Sequence, residues 1–325
     1  MRSDNFKIRK IEKDELSLIR DLPPPDWNVD LEKVYSQHYN QDYFYPIVTI
    51  IDSEIVGTGI AVINDNATWL GIIIVKENYR NNGLGKAITN HLIHYSKSKG
   101  IDTIILAATE LGLPVYKKIG FEPDLNYLFF KTDSLLKIDS VSKNISEITE
   151  NDHPGIFKLD FAISGERREK LLTHSLKTGF KYKDKILKGY YLPDFGTGLI
   201  ISDSEISGLA LLKFRLSRDT SPVCVPETNE VAIDYLRSRS YFQYLKTPRM
   251  FLSKNVKWDS KNVYLQYVLS QYNPPIDKIK KAKFKFRYHD GRLVDFKDNN
   301  FNFTIQFNVL KDEIARDYVI RVPEE

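Results

Sequence analysis

A short run of residues, 80–86, combines a fixed positive charge with two closely spaced glycines: Arg80-Asn81-Asn82-Gly83-Leu84-Gly85-Lys86. Glycines allow a backbone to approach a ligand closely. Backbone N–H groups at the start of a helix attract anions, because they have no partner inside the helix and lie at its positive end. The run follows an apolar, strand-like segment (67–75) and precedes a helical pattern (83–99). It therefore predicts a site for a phosphate or pyrophosphate group, with Arg80 contributing charge.

Two other glycine motifs fit this run less well. A dinucleotide-binding fingerprint requires a third glycine where Ile88 stands, and a P-loop requires Ser or Thr where Ala87 stands. A glycine-rich turn that binds no ligand is the alternative that the run by itself leaves open.

A second motif follows further along the chain, where Tyr116 precedes Gly120-Phe121 at the end of a short helical pattern. Taken together, the two motifs resemble the GNAT superfamily of N-acetyltransferases over about residues 5–132. That superfamily's pattern Arg/Gln-x-x-Gly-x-Gly/Ala is matched by Arg80, Gly83 and Gly85. The resemblance implies acetyl-coenzyme A (acetyl-CoA) as the cofactor, with its pyrophosphate on residues 80–86. It also implies that the pantetheine arm runs along the backbone of Ile73, Ile74 and Val75.

The resemblance further places Tyr116 near the thioester sulfur, where a phenolic hydroxyl can protonate the departing thiolate. The base that receives the amine proton is poorly specified. Many members of the superfamily carry a carboxylate on the strand before the glycine loop, but residues 68–72 contain no acid. Glu110 is the candidate by motif position, with a helix-capping role or bulk water as alternatives. We expect the acceptor pocket among five residues, with core packing as the alternative: Trp27, Asn28, Tyr43, Phe44 and Trp69.

The elements that must position these residues follow the order β-α-α-β-β-β-α-β-α-β, which predicts a mixed α/β layer structure. We expect a GNAT-like domain at residues 1–135. Near residue 140 the pattern restarts: Ile8 and Ile11 match Ile145 and Ile148, an offset of 137, and Phe121 matches Tyr241, an offset of 120.

This weak repeat resembles the C-terminal half of tandem acetyltransferase-like proteins and predicts a truncated, degenerate GNAT-like domain at 140–272. Residues 206–214 read as a strand, and residues 215–222 have no glycine loop and no room for a three-turn helix. Leu236 stands at the position that matches Tyr116. We therefore expect this second segment to bind no cofactor. Strictly alternating residues predict a small β-rich appendix at 273–325, with a hairpin turn at Asp290-Gly291.

The composition bounds the remaining classes of function. The chain has 325 residues, 42% of them hydrophobic and 28% charged, which is typical of globular proteins. A net charge of +4 does not indicate a nucleic-acid partner, and no apolar run has the length of a signal peptide or a membrane span. The single cysteine, Cys224, fits a reducing compartment, so we expect a cytoplasmic protein. We predict no metal site, since His91 and His94 have no further ligands nearby in sequence.

The leading hypothesis is an acetyl-CoA-dependent N-acetyltransferase that acts on a primary amine of a small molecule. The first alternative is a non-catalytic GNAT-like protein that binds a ligand or a partner. The second is a protein-acetylating enzyme whose target docks on the second segment. The sequence gives no indication of the oligomeric state.

Overall fold

The structure, a computed structural model, describes residues 6–24, 27, 29–132, 134–138 and 140–266 in full. It also describes the strands Phe286–Arg287, Leu293–Val294, Thr304–Lys311 and Ile314–Arg321. The chain divides into two compact units, Met1–Pro274 and Pro275–Glu325. None of the helices in the described residues is long and apolar enough to cross a membrane.

The first part of the larger unit has the predicted mixed α/β order of elements. It contains β1 (Lys7–Lys10), a 3₁₀ helix (Lys13–Ile19), α1 (Leu31–His38), β2 (Phe44–Ile51), β3 (Glu54–Ile63), β4 (Thr68–Val75), a 3₁₀ turn (Glu77–Tyr79), α2 (Leu84–Ser98), β5 (Thr103–Ala107), α3 (Leu113–Ile119) and β6 (Glu122–Lys131). We call β1 to β6 the N-terminal copy.

A similar but not identical order of elements follows. It comprises β7 (Ile145–Glu147), a 3₁₀ turn (Glu150–Asp152), α4 (His153–Ser164), α5 (Glu169–Leu176), β8 (Phe180–Lys183), β9 (Leu187–Leu192), β10 (Leu199–Ser202), α6 (Glu205–Leu216), β11 (Val223–Pro226), α7 (Glu230–Ser238) and β12 (Phe242–Ser253). We call β7 to β12 the second copy. A further 3₁₀ turn (Ser260–Asn262) leads into β13 (Val263–Leu265).

The prediction of a strand at residues 206–214 is wrong, because these residues lie within α6. Ser204 caps this helix by accepting a hydrogen bond from the Ser207 amide. Seven residues of α6 are buried, so its apolar residues do not form the single stripe that marks a surface helix. The second copy therefore contains a helix of 12 residues between β10 and β11, for which the sequence analysis predicted no room.

The strands of the larger unit form two sheets, and the larger of these sheets contains strands from both copies. Its order is β1-β2-β3-β4-β5-β12-β6-β11, while the smaller sheet has the order β13-β10-β9-β8-β7. Strand β12 pairs antiparallel with all of β5 and with most of β6. The boundary predicted between residues 135 and 140 thus runs through a continuous sheet.

The two faces of the larger sheet pack against different cores. On one face, α2 and α3 contribute Ile88, Leu92 and Tyr116 to a cluster with Leu70 of β4 and Met250 of β12. We call this the α2 face. The other face carries the aromatic cluster with Tyr35, Phe44, Trp69, Tyr127 and Phe129. We call it the opposite face.

The smaller unit contains two antiparallel strand pairs. Strands β14 (Phe286–Arg287) and β15 (Leu293–Val294) pair with each other, as do β16 (Thr304–Lys311) and β17 (Ile314–Arg321). The predicted turn at Asp290-Gly291 lies outside the described residues.

Candidate active site

The parallel strands β4 and β5 separate partway along their length. Their pairing runs from Thr68 opposite Ile104 to Leu70 opposite Leu106, in a part of the chain that the structure describes completely. Beyond this point β4 continues to Val75, paired with β3 on its other edge. The edge of β4 that faces β5 is therefore available to a ligand from residue 71 onward. We call this gap the slit, and Ile73, Ile74 and Val75 lie along it.

A backbone irregularity in β4 coincides with the slit. Ile72 has a φ of 51°, which is unusual for a β-branched residue. The β3–β4 register shifts at the same level, between Thr58 and Ile60. As a result Ile72 and Ile74 pack on the opposite face, while Ile73 and Val75 pack on the α2 face. Such bulges reorient a strand and interrupt its pairing.

The glycine loop leads from the end of β4 to the N-terminus of α2. Gly83 is the N-cap residue, with a φ of 80°, and the first helical hydrogen bond runs from the Ala87 amide to the Gly83 carbonyl at 3.0 Å. The amides of residues 84–86 therefore have no partner within the helix. A Cβ atom added at Gly83 or Gly85 would meet nothing within 4 Å. These amides and the open space beside them fit a pyrophosphate.

Side chains fix the conformation of this loop. The half-buried Arg80 donates from Nε to the Val75 carbonyl at 3.1 Å, which ties the loop to the end of β4. Asn82 donates from Nδ2 to the Arg80 carbonyl at 3.1 Å. Asn81 takes the left-handed conformation, with a φ of 65°. Lys86 is exposed on the first turn of α2, while Leu84 is buried and anchors that turn.

Two glycines in β3 hold α2 close to the sheet. A Cβ atom at Gly59 would lie 2.7 Å from Ile88 Cγ2, and one at Gly57 would lie 2.9 Å from the Ile74 carbonyl oxygen. A larger residue at Gly59 would press on Ile88 of the helix that carries the loop, and one at Gly57 would press on the backbone of β4. The position of the loop therefore depends on β3 as well as on its own glycines.

Tyr116 and Glu110 both follow β5, Glu110 in the turn after the strand and Tyr116 within α3. Tyr116 is buried on α3, and its ring lies edge-on to Phe121 at 5.9 Å. The ring also packs against Gly112, where a Cβ atom would lie 2.6 Å from Tyr116 Cε2. Burial raises the pKa of the Tyr116 hydroxyl well above its ordinary value, so it stays protonated. Glu110 is exposed in the turn before α3.

The predicted acceptor residues fall into two groups. Tyr43 and Phe44 are buried in the core of the opposite face, where Phe44 packs edge-on against Tyr35 at 5.5 Å and the Tyr43 hydroxyl contacts His38 Nδ1 at 3.1 Å. Trp27 packs at the border of the same core, and Asn28 lies outside the described residues. Of these five residues, Trp69 lines a cavity.

That cavity is small and polar, and both copies contribute to it. Its volume of about 10 Å³ is about the room that one water molecule needs. We call it the polar cavity, and its lining residues are Trp69, Tyr127, Ser164, Glu166, Arg168, Arg249, Trp258, Val263 and Gln266. The sequence analysis identified neither Glu166 nor Tyr127.

Comparisons with known proteins agree with this geometry. Residues 12–121, about a third of the chain, match the model described as the acetyltransferase (GNAT) family. Over 49 residues the chain is 45% identical to a glucosamine 6-phosphate N-acetyltransferase of Trypanosoma brucei brucei. That match covers 15% of this chain and 33% of the relative, so the chain spans about a third of that relative's length.

Two solved structures resemble most of the chain. One is a protein of Pyrococcus horikoshii that is provisionally assigned as an acetyltransferase, with a TM-score of 0.69, 19% identity, and coverage of 84% of this chain and 96% of that chain. The other is a GCN5-related N-acetyltransferase of Sphaerobacter thermophilus, with a TM-score of 0.56, 12% identity, and coverage of 77% and 96%. At these identities the likeness shows the fold. The glycine loop and the slit both lie within residues 12–121, the segment that matches the GNAT family model.

Proposed function

We propose that this protein is an acetyl-CoA-dependent N-acetyltransferase that acts on a primary amine of a small molecule. The observation that carries the proposal is the juxtaposition of two features. The N-terminus of α2 presents amides without helical partners. The slit between β4 and β5 begins at residue 71, on the strand that leads into the glycine loop. One feature suits a pyrophosphate, and the other suits an extended arm with amide groups of its own.

Residues of the N-terminal copy would hold the cofactor. The amides of Leu84, Gly85 and Lys86 would donate to the pyrophosphate, and Arg80 would add charge. The free edge of β4 at residues 73–75 would pair with the pantetheine arm. Acetyl-CoA, when bound, supplies the acetyl group as a thioester.

Tyr116 is our proposed proton donor to the departing thiolate. Because burial raises the pKa of the Tyr116 hydroxyl, this group keeps its proton at the pH where the amine reacts and can donate it in a hydrogen bond to the sulfur as negative charge develops there. Glu110 is still a candidate base. Its side chain is exposed, which is more typical of a residue at the edge of an active site than of a base in a site that excludes water.

Glucosamine 6-phosphate is the first acceptor to test, because the Trypanosoma relative bears that substrate in its name. Two alternatives stay open: a non-catalytic ligand-binding protein, and an enzyme that acetylates a protein. A cytoplasmic location stays a prediction from the sequence.

Two measurements test the proposal in order. Isothermal titration calorimetry with acetyl-CoA and coenzyme A should show micromolar binding, about 8 kcal/mol of binding free energy. A panel of amino sugars, amino acids, polyamines and lysine peptides, assayed by thiol release, should then identify the acceptor. The absence of cofactor binding would refute the proposal. Binding without turnover on any amine would favour the non-catalytic alternative, and turnover on peptides alone would favour the protein-acetylating one.

A further inference from the structure

The strand that precedes the glycine loop lacks a carboxylate of its own, yet a carboxylate lies against it. Glu166 Oε2 accepts hydrogen bonds from Trp69 Nε1 at 2.9 Å and from Asn64 Nδ2 at 2.7 Å. Glu166 belongs to the second copy, 97 residues from Trp69 along the chain, and only 4% of it is exposed.

The loop that carries Glu166 is held firmly. Ser164 Oγ accepts from the Glu166 amide at 3.1 Å, Asn66 Nδ2 donates to the Gly165 carbonyl at 2.8 Å, and the Arg167 amide donates to Asn66 Oδ1 at 2.8 Å. Gly165 has a φ of 69°, and a Cβ atom there would lie 2.4 Å from the Lys257 carbonyl oxygen. The carboxylate is therefore preorganised beside β4.

Each of the two arginines that line the polar cavity has an aspartate partner. Arg168 forms two hydrogen bonds with Asp160, at 2.8 and 2.9 Å, and Arg249 pairs with Asp124. Among the ion pairs of the described residues, none includes Glu166. Asp160 and Asp124 lie outside the lining of the cavity, so Glu166 is the carboxylate that lines it, and it has no ion-pair partner of its own among the described residues.

The cavity also contains polar atoms that lack partners. Tyr127 Oη and Arg249 Nε are buried without a hydrogen-bond partner among the described residues. Both residues line the same cavity as Glu166. A single water molecule there would have the two to four polar partners that a buried water requires.

The polar cavity lies beside the last paired residues of β4 and β5, next to the start of the slit. Trp69 lies one residue before the last β4–β5 pair, and Arg249 lies opposite Ala107 at the end of β5. Trp69 and Ala107 belong to the core of the opposite face, whereas Tyr116 belongs to the α2 face. Glu166 and Tyr116 therefore approach the separating strands from the two sides of the sheet.

We propose that Glu166 is the base that accepts the proton of the acceptor amine, through one water molecule in the polar cavity, so that the second copy completes the active site of the N-terminal copy. This inference rests on the proposed function. In the step, the amine nitrogen forms a bond to the acetyl carbon and the carbon–sulfur bond breaks. The nitrogen's proton passes to Glu166, the Tyr116 proton passes to the sulfur, and both groups then exchange protons with solvent.

Two substitutions distinguish a base from a packing residue. Glu166→Gln keeps the size and a hydrogen-bond acceptor for Trp69 but cannot take a proton, whereas Glu166→Asp keeps the carboxylate and shortens the side chain. A base predicts that Asp retains more turnover than Gln, and a packing role predicts the reverse. The control is Glu150→Gln, the same chemical change at an exposed position of the second copy.

We expect Glu166→Gln to lower kcat/KM about 10²-fold near pH 7, the scale of general-base catalysis, with coenzyme A affinity unchanged. The loss should shrink toward pH 9, because more of the amine is already deprotonated. Glu166→Asp should lose less, and Glu150→Gln should match the wild type.

Wild-type turnover in Glu166→Gln across this pH range would overturn the role of Glu166 while leaving the proposed function intact. Greater loss in Glu166→Asp than in Glu166→Gln would do the same and would assign the residue to packing. Failure of the wild-type protein to bind coenzyme A would overturn the proposed function and this inference together.

Discussion

Glycines in this protein differ in what surrounds them, and the difference separates ligand-facing positions from packing positions. A Cβ atom at Gly59, Gly165 or Gly208 would collide with neighbouring atoms at 2.7, 2.4 and 2.2 Å, respectively. At Gly83 and Gly85 it would meet nothing within 4 Å. Glycines at crowded positions are required by the fold. At Gly83 the positive φ also favours glycine, but Gly85 has neither constraint, so a ligand is the physical reason we assign to it.

Gly85→Asp should separate cofactor binding from stability. A carboxylate in the first turn of α2 would oppose a pyrophosphate, so we expect coenzyme A affinity to fall at least 10²-fold. The same carboxylate interacts favourably with the helix dipole, by about 0.3–1 kcal/mol. The melting temperature should therefore stay unchanged or rise slightly. Calorimetry and differential scanning fluorimetry measure the two effects.

Gly85→Ala is the control for bulk without charge and should bind coenzyme A with a smaller loss. A second control addresses backbone strain. Gly83 and Gly100 both have a φ of 80° with open space around them, at the two ends of α2. Alanine at each should cost similar stability, but only Gly83→Ala should weaken cofactor binding. Unchanged affinity in Gly85→Asp would show that the loop is not the pyrophosphate site.

Tyr116→Phe tests the proposed proton donor. We expect kcat to fall about 10–100-fold with coenzyme A affinity nearly unchanged, because the ring that packs on Phe121 stays in place. Tyr241→Phe is the matched control, since it removes a buried hydroxyl that has no hydrogen-bond partner in the described part of the chain. That variant should keep full turnover and gain some stability. Equal turnover in both variants would exclude a role for the Tyr116 hydroxyl.

The residues of the glycine loop could be singled out from the sequence because they are contiguous. Arg80, Gly83 and Gly85 fall within six positions, and one helix start explains all three. Glu166 was not predictable, because its contact with Trp69 depends on how two copies pack and no local pattern marks it. Tyr43 and Phe44, which lie in the core of the opposite face, show a second limit of sequence analysis. An aromatic residue type does not by itself distinguish a residue that lines a pocket from one that is buried in a core.

At the scale of elements, β13 occupies the place in the second copy that corresponds to the slit. It pairs with β10 through Ile200 opposite Leu265. On its other side, the Gln266 amide donates to the Cys224 carbonyl of β11 at 2.9 Å. The Tyr264 ring packs directly on Gly208 in α6. The gap between the counterparts of β4 and β5 is thus filled by the chain itself.

The turn before α6 also disfavours an anion. The turn carries Asp203, Glu205 is the first residue of α6, and Ser204 already accepts from the Ser207 amide. We therefore expect one coenzyme A site per chain, as the sequence predicts, but for a different reason: α6 is present, while its slit is filled and its N-terminus is acidic. Calorimetric titration of the full chain should give a stoichiometry near one. In Gly85→Asp no second site should remain, and a stoichiometry near two in the wild type would contradict this account.

The pattern of elements in the N-terminal copy was predictable because its central strands are runs rich in β-branched residues and because glycines flank α2 and α3. Helix α6 was misassigned for a physical reason. Its buried residues include Ser207, Gly208 and Arg215 alongside its leucines, so neither helical nor strand periodicity dominates. Short apolar runs of this kind are ambiguous until their neighbours are known.

At the scale of the whole molecule, the two copies form one folding unit. Strand β12 supplies the neighbour of both β5 and β6, so removing it would leave the hydrogen-bonding edges of two central strands unpaired. The likeness to the Pyrococcus horikoshii protein covers 84% of the chain, so an architecture of this extent recurs in another solved protein.

A chain that ends near residue 140 should therefore fail to fold cooperatively, although the sequence pattern alone suggests a self-contained domain at 1–135. We expect it to lack a sharp thermal transition and to bind coenzyme A at least 10²-fold more weakly than the full chain. A chain of residues 1–274, which keeps the larger unit whole, should melt cooperatively and bind as the full chain does. Circular dichroism melts and calorimetry measure both properties. Native-like binding by residues 1–140 would show that β12 is dispensable.

The place of β12 between β5 and β6 also sets an order of events during synthesis on the ribosome. Strand β6 ends at Lys131 and β12 begins at Phe242, so about 110 residues must be made before the larger sheet can close. At roughly 5–20 residues per second this takes on the order of 5–20 seconds. During that interval the nascent chain exposes two apolar strand edges, which are sites for mispairing with other chains. Production of soluble protein should therefore respond to translation speed and chaperone supply more than the stability of the finished fold would suggest.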